Sequence, residues 1–173
     1  MATDDKVVQN IVEDIFTTFQ TVVHLSEDSK HNHVFVVMGA SGDLAKKKIY
    51  PTLWWLYKDD LFPSNTYFLG YARSQLNIAD YLTKTCREYM KIKPEEEQRF
   101  LDFVSKNYYL SGSYDKDESF KELNNKILDI SKERTQNKQE TDFECNRIFY
   151  FALPPTVYTS VTLYLSEYCK AKK

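Results

Sequence analysis

The stretch VFVVMGASGDLAKKK, Val34 to Lys48, constrains the fold more than any other. Its apolar residues Val34 to Met38 run without interruption into Gly39-Ala40-Ser41-Gly42-Asp43-Leu44-Ala45, and three lysines come next. An apolar run of this kind suits a strand buried on both faces of a parallel sheet. The segment therefore reads as strand, tight turn and helix. In dinucleotide-binding folds a first glycine permits the turn and a second lets the backbone approach a pyrophosphate. A third small residue lets the helix pack on the strand. Those roles fall on Gly39, Gly42 and Ala45, and the first-turn amides of the helix attract the anion. The spacing G-x-x-G-x-x-A departs from the common G-x-G-x-x-G, so an ordinary strand-to-helix turn is the alternative reading.

The residues after this turn complete a βαβ unit. Lys46 to Tyr57, with a start as early as Leu44, reads as a helix, and Pro51 inside it should kink it or begin a new segment. Asp59-Asp60 and Pro63-Ser64-Asn65 mark a loop, and Thr66 to Tyr71 reads as a second strand. The crossover should be right-handed. Successive helical residues point about 100° apart. Lys46, Lys47 and Lys48 therefore cannot all face one ligand, and at most one or two reach a phosphate. Trp54, Trp55 and Tyr57 read as crossover-helix core.

Further along, Asn77 with Asp80 resembles a cap before the helix IADYLTKTCREYM, and Pro94 with Glu95 to Glu97 suits a first helical turn. Asn107 to Tyr114 reads as a short strand. Asp115 with Glu118 resembles a capping box before FKELNNKILDI. Ser131 to Asn146 reads as a surface loop. Arg147 to Leu153, RIFYFAL, reads as a buried strand that Pro154-Pro155 ends before a helix through Cys169. At the other end, Val8, Ile11, Val12, Ile15, Phe16, Phe19 and Val23 recur at helical spacing over residues 5–25. That amphipathic helix is expected to pack on the domain or on a neighbouring chain, and the polar run Ser26 to His33 links it to the first strand.

Composition excludes several classes. With 173 residues the chain has room for one domain with a core. A net charge of −2 leaves no polybasic footprint for nucleic acid. Cys86, Cys145 and Cys169 are too far apart for a C-x-x-C site, which points to reduced thiols and a cytoplasmic location. Acids near the N-terminus argue against a signal peptide, and Glu13 and Asp14 against a membrane span.

Two positions bear on the ligand. Domains that bind NAD place an acid after the second strand for the ribose 2′-hydroxyl. Here GYARSQ offers Arg73 and Ser74, and an arginine suits a 2′-phosphate. Electrostatics thus favour NADP, although Arg73 lies further from Gly39 than the usual offset of about 20 residues, and a plain surface arginine is the other reading. Leu153-Pro154-Pro155 ends a strand where ligands of open α/β sheets bind, with a cis Leu153–Pro154 bond as one expectation. No general base for hydride transfer is evident. The histidines His24, His31 and His33 all precede the glycine turn, so no catalytic residue is assigned.

HVFVVMGASGDLAKKKIYPTLWWLY, LGYARS and RIFYFALPPTVY, in this order, resemble the coenzyme domain of the glucose-6-phosphate dehydrogenase family. The resemblance runs from about His33 to the C-terminus. It implies a doubly wound, mostly parallel Rossmann-like α/β domain over residues 33–173, preceded by a helical segment and linker over residues 1–32. It further implies NADP-dependent oxidation of glucose 6-phosphate to the lactone, the entry step of the pentose phosphate pathway. By matching position, the coenzyme contacts fall on Gly39, Ala40, Ser41, Gly42, Asp43, Leu44, Ala45 and Lys46, with Arg73 at the 2′-phosphate and Tyr158 as a further contact. Ala152 to Pro155 match residues near the nicotinamide.

The family also carries an E-K-P-F-G motif and an R-I-D-H-Y-L-G-K motif that supplies its general-base histidine. Neither occurs in this sequence. The β+α domain that makes the family's homodimers or tetramers is likewise not represented. The resemblance thus implies a domain cut before its last strands, holding coenzyme without catalysis, with an exposed edge on the final strand. A non-catalytic NADP-binding or interaction module, a short isoform, is the alternative from another functional class.

Overall fold

The computed structural model describes residues 10–19, 21, 32–133 and 145–171. Four parallel strands form one sheet: β1 (Asn32–Met38), β2 (Thr66–Ala72), β3 (Asn107–Ser111) and β4 (Cys145–Phe151). Their order is β3-β2-β1-β4. The chain walks outward from β1 through β2 to β3, then returns to add β4 on the other side of β1. The strand order therefore reverses at the β1–β4 junction, which is where open α/β sheets bind ligands.

Alternation along β1 divides the core into two layers. Val34, Val36 and Met38 face helices α3 (Asp117–Glu133) and α4 (Tyr158–Tyr168), packing with Phe120, Leu123, Ile127, Val161 and Leu165. Val37 points the other way, toward α1 (Tyr50–Lys58) and α2 (Glu97–Ser105), among Tyr50, Trp54, Phe100 and Phe103. Helices on both faces make this the expected Rossmann-like doubly wound fold. The aromatic share of 15% is spent here: Trp54 meets Phe100 edge-on at 5.4 Å, and Phe68 lies 5.3 Å from Phe103.

Several local expectations hold and others are corrected. The crossover helix contains a π-helical stretch, Ala45–Ile49, that passes without a break into α1. Pro51 thus lies inside a continuous helix, just after the change from π to α geometry. Asn77 caps as expected, its Oδ1 accepting from the Asp80 amide at 3.1 Å. The capping box at Asp115 does not form: α3 begins at Asp117, and the Asp115 carboxylate accepts from the Ser113 hydroxyl instead. The anticipated loop over residues 131–146 is shorter at both ends, because α3 runs through Glu133 and β4 starts at Cys145; residues 134–144 lie outside the described residues. Trp55 is not core but 44% exposed, with Nε1 donating to the Met90 carbonyl.

β4 is also less buried than its composition suggests. It is an edge strand among the described residues, with Ile148 and Tyr150 exposed on one face while Phe149 and Phe151 pack against the α3–α4 layer. Among the described residues no strand pairs with its outer edge, in line with the expectation. Of the helix anticipated over residues 5–25, residues 10–19 and 21 are described and helical. Its apolar side is not packed on the domain: Ile11, Val12, Ile15, Phe16 and Phe19 are all exposed. His24, His31 and the linker over residues 26–31 lie outside the described residues. Among the described residues no helix is long and apolar enough to cross a membrane.

All three cysteines are free and buried. Burial pushes the Cys86 thiol up to about 12 and that of Cys169 to about 11, and Cys145 is also raised, first by burial. The thiolate is the reactive form. Iodoacetamide at pH 8 is therefore expected to leave the native protein unlabelled and to add three carbamidomethyl groups once denaturant is present. Intact-mass measurement reads the difference, and a labelled native chain would contradict the packing described.

Candidate functional site

β1 ends at Met38, level with Tyr71 of β2 and Phe151 of β4. Three connecting segments therefore leave the sheet side by side, at residues 39, 73 and 152. Each carries residues that the sequence singles out.

The first is the glycine turn. Gly39 takes φ +87° and donates its amide to the Tyr71 carbonyl at 2.8 Å, while the Ala40 amide donates to the same oxygen at 3.1 Å. A side chain on Gly39 would run into the Ala152 carbonyl and approach a Leu153 methyl at 3.0 Å. Gly39 is thus needed twice, for its left-handed backbone and for its contact with the strand-end segment of β4. The Gly42 amide closes the turn on the Gly39 carbonyl at 2.9 Å, and the Gly42 carbonyl accepts from the Lys46 amide at 3.0 Å, starting the helix. Gly42 and Asp43 are exposed, as a backbone meant to meet a ligand must be, and Ala45 is fully buried under the helix.

The lysine run behaves as geometry requires. Lys46 and Lys47 both turn back to Asp43, at 3.3 and 2.8 Å, and hydrogen bonds from Lys47 and Lys46 hold its carboxyl below the usual range. Lys48 points to solvent. Leu44 is 48% exposed on the rim of the turn.

The second segment follows β2. Arg73 and Ser74 are exposed just beyond Ala72. The Arg73 guanidinium lies 5.8 Å from the centre of the Tyr114 ring, a cation–π arrangement that orients the side chain without neutralising it. Ser74 Oγ is 2.9 Å from Ser41 Oγ of the glycine turn. The structure thus brings the arginine segment and the phosphate-type turn into direct contact, across a larger sequence gap than usual.

The third segment follows β4. The Ala152 amide donates to the Met38 carbonyl at 2.9 Å, extending the ladder one step and setting Ala152-Leu153 against Gly39. Both proline bonds are trans, which corrects the cis expectation at Leu153–Pro154. Pro155 opens a single 3-10 turn into α4, whose first residue is Tyr158. The Tyr158 ring packs edge-on against Phe151 at 5.3 Å and is 38% exposed. It stands over the carboxyl end of β4.

The site fits a dinucleotide on its own geometry: a left-handed glycine turn, an exposed second glycine, helix first-turn amides and an unneutralised arginine one strand over. Sequence reasoning missed Tyr109 and Tyr114. Their position in a short strand and the turn after it was the available signal, since that strand end adjoins the one carrying Arg73. Among the described residues no cluster of His, Cys, Asp and Glu could hold a metal ion.

Comparison with known proteins agrees with this geometry. The family described as "Glucose-6-phosphate dehydrogenase, NAD binding domain" matches residues 36–173. Glucose-6-phosphate 1-dehydrogenase of Ceratitis capitata is 43% identical over 174 aligned positions, covering 99% of this chain and 31% of the relative. The Drosophila melanogaster enzyme is 49% identical over 142 positions, covering 82% of this chain and 25% of its own length. A solved structure of glucose-6-phosphate dehydrogenase in complex with its substrate glucose-6-phosphate superposes with a TM-score of 0.70 at 35% identity. It covers 81% of this chain and 28% of that one. The chain thus spans roughly a quarter to a third of such relatives. With the match extending from the middle of β1 to the last residue, the chain belongs to the glucose-6-phosphate dehydrogenase family and corresponds to its NAD-binding domain.

Proposed function

We propose that the crevice at the carboxyl ends of β1, β2 and β4 binds NADP, within an NADP-dependent oxidation of D-glucose 6-phosphate to 6-phosphogluconolactone. Residues 33–173 are the coenzyme domain in this reading, and residues 1–32 a preceding helical segment and linker. The observation that carries it is the left-handed Gly39 turn at the strand-order reversal with Arg73 beside it. No carboxylate occurs in the 73–76 segment, so a 2′-phosphate meets a cation there and no anion.

Each residue has a task. The Gly39 to Ala45 turn holds the pyrophosphate through backbone amides, with Gly42 keeping the approach open and Ala45 seating the helix. Ala40 and Leu44 shape the turn, and Ser41 offers a hydroxyl. Asp43 holds Lys46 against the turn by an ion pair at 3.3 Å, and Lys46 is the lysine placed to reach the anion. Arg73 pairs with the 2′-phosphate, and Tyr158 with Ala152 to Pro155 flanks the nicotinamide end. NADP would supply the hydride acceptor. Glucose 6-phosphate as substrate, homodimers or tetramers as the assembly, and the cytoplasm as location follow from the family and belong to the same proposal.

Two measurements test it. Calorimetric titration should show NADP binding more tightly than NAD by at least about tenfold, as expected from a charge-assisted pair worth roughly 1.5–3 kcal/mol. Equal affinity would reject the 2′-phosphate reading. The 173-residue chain should also produce no NADPH from glucose 6-phosphate above a buffer blank. Turnover by this chain would mean that it carries a base outside the family's histidine motif.

A further inference from the structure

The contact between Ser41 and Ser74 is one half of a larger linkage. Tyr109 of β3 donates its hydroxyl to the Ser74 carbonyl at 2.5 Å, and Ser74 Oγ is 2.9 Å from Ser41 Oγ. The Tyr109 ring reaches that point because Tyr109 stands opposite Gly70 in the β2–β3 register. A side chain at Gly70 would come within 3.0 Å of Tyr109 Cδ2, so the absent side chain lets the ring lie over β2. Burial pushes the Tyr109 hydroxyl above its ordinary range, so it stays a donor. Three segments from three strands thus meet at one exposed point: the glycine turn, the residues after β2 and the end of β3.

We infer that Tyr109 is a positioning residue for coenzyme selectivity, holding the Arg73-Ser74 backbone at a set distance from the Gly39–Ala45 turn. This rests on the NADP reading above. Arg73 has no ion pair holding its side chain among the described residues, and its Tyr114 ring contact sets direction more than distance. The main chain at residues 73 and 74 lies past the end of the β2 ladder, where sheet hydrogen bonds no longer hold it. Tyr109 ties that carbonyl down. A ligand with a 2′-phosphate spans the two segments, that phosphate at Arg73 and its 5′-phosphate on the turn, and so depends on their spacing. A ligand without it sits on the turn alone.

The test compares 2′,5′-ADP with 5′-ADP on the 173-residue chain and its Tyr109→Phe variant by calorimetry. Phenylalanine keeps the ring and removes the hydroxyl. Loss of one such hydrogen bond is expected to weaken 2′,5′-ADP about threefold to tenfold and to leave 5′-ADP within about twofold. Amide hydrogen exchange at Arg73, Ser74 and Gln75 should speed up in the ligand-free variant. Ser74→Ala cuts the same linkage at its other contact and should lower the same ratio if Tyr109→Phe does not fold. Equal weakening of both ligands would mark a merely structural role and overturn the inference, as would an unchanged ratio in both variants. Wild-type protein that binds neither ligand would remove the NADP reading itself, and this inference with it.

Discussion

Arg73→Ala is expected to weaken NADP binding by about tenfold to a hundredfold while leaving NAD binding within about twofold. A guanidinium–phosphate pair is charge-assisted and commonly bidentate, and hydrogen bonds to charged groups contribute roughly 1.5–3 kcal/mol each. Arg73 is exposed, with its guanidinium 5.8 Å from the centre of the Tyr114 ring. Its removal therefore opens no cavity, and the melting temperature should stay within about a degree or two. Arg73→Lys should restore only part of the affinity, because an ammonium matches a phosphate as a point charge. The measurement is paired calorimetric titration of both coenzymes. A parallel fall in NADP and NAD affinity would mean that Arg73 does not read the 2′-position, and no change in either would take it out of the site.

Gly39→Ala is expected to cost stability and coenzyme binding together. Its φ of +87° is strained for any residue with a Cβ, at roughly 1–3 kcal/mol. The new methyl would also collide with the Ala152 carbonyl, which is backbone and fixed to Met38 by hydrogen bond. The total is about 2–4 kcal/mol, read as a fall of about 4–16 °C in the melting temperature of a chain this size. NADP and NAD should weaken alike, since the turn carries the part they share. Gly42→Ala is the control. Its Cβ would lie 3.1 Å from the Gly39 carbonyl, an approach that a small adjustment accommodates, so stability should fall by less than about 1 kcal/mol. If Gly39→Ala melts like the unaltered chain, the strand-end contact between Gly39 and Ala152 is not what holds the crevice together.

Elements with a strong period or a hard steric cue were legible in advance. β1 and β2 follow from uninterrupted apolar runs, and the turn between β1 and its helix from glycines whose geometry no other residue supplies. Asn77 declared its cap by chemistry that acts over three residues. Failures came where a neighbour decided. Asp115 could have capped α3, but its carboxylate is used by Ser113. Trp55 has a core residue's composition, yet it sits on the outward side of α1 beside Met90. RIFYFAL reads as fully buried because edge and centre strands have similar apolar content. The family resemblance implied an open edge on this strand, and the strand order gives β4 one neighbour among the described residues.

By itself the sequence determined the local chemistry of this protein: a glycine turn over Gly39 to Ala45, an arginine in place of an acid at position 73, and an apolar strand followed by Pro154-Pro155. It also carried the family resemblance, since that lies in ordered motifs. Tertiary structure alone decided that these pieces form one crevice. Residues 39, 73 and 152 are far apart in the chain, and their meeting depends on β4 returning to the free side of β1 with Met38, Tyr71 and Phe151 in register. Sequence patterns report each strand's own burial, whereas pairing partners and register are set by contacts between strands. The Tyr109–Ser74–Ser41 linkage joins three such strands, which is why no local pattern announced it.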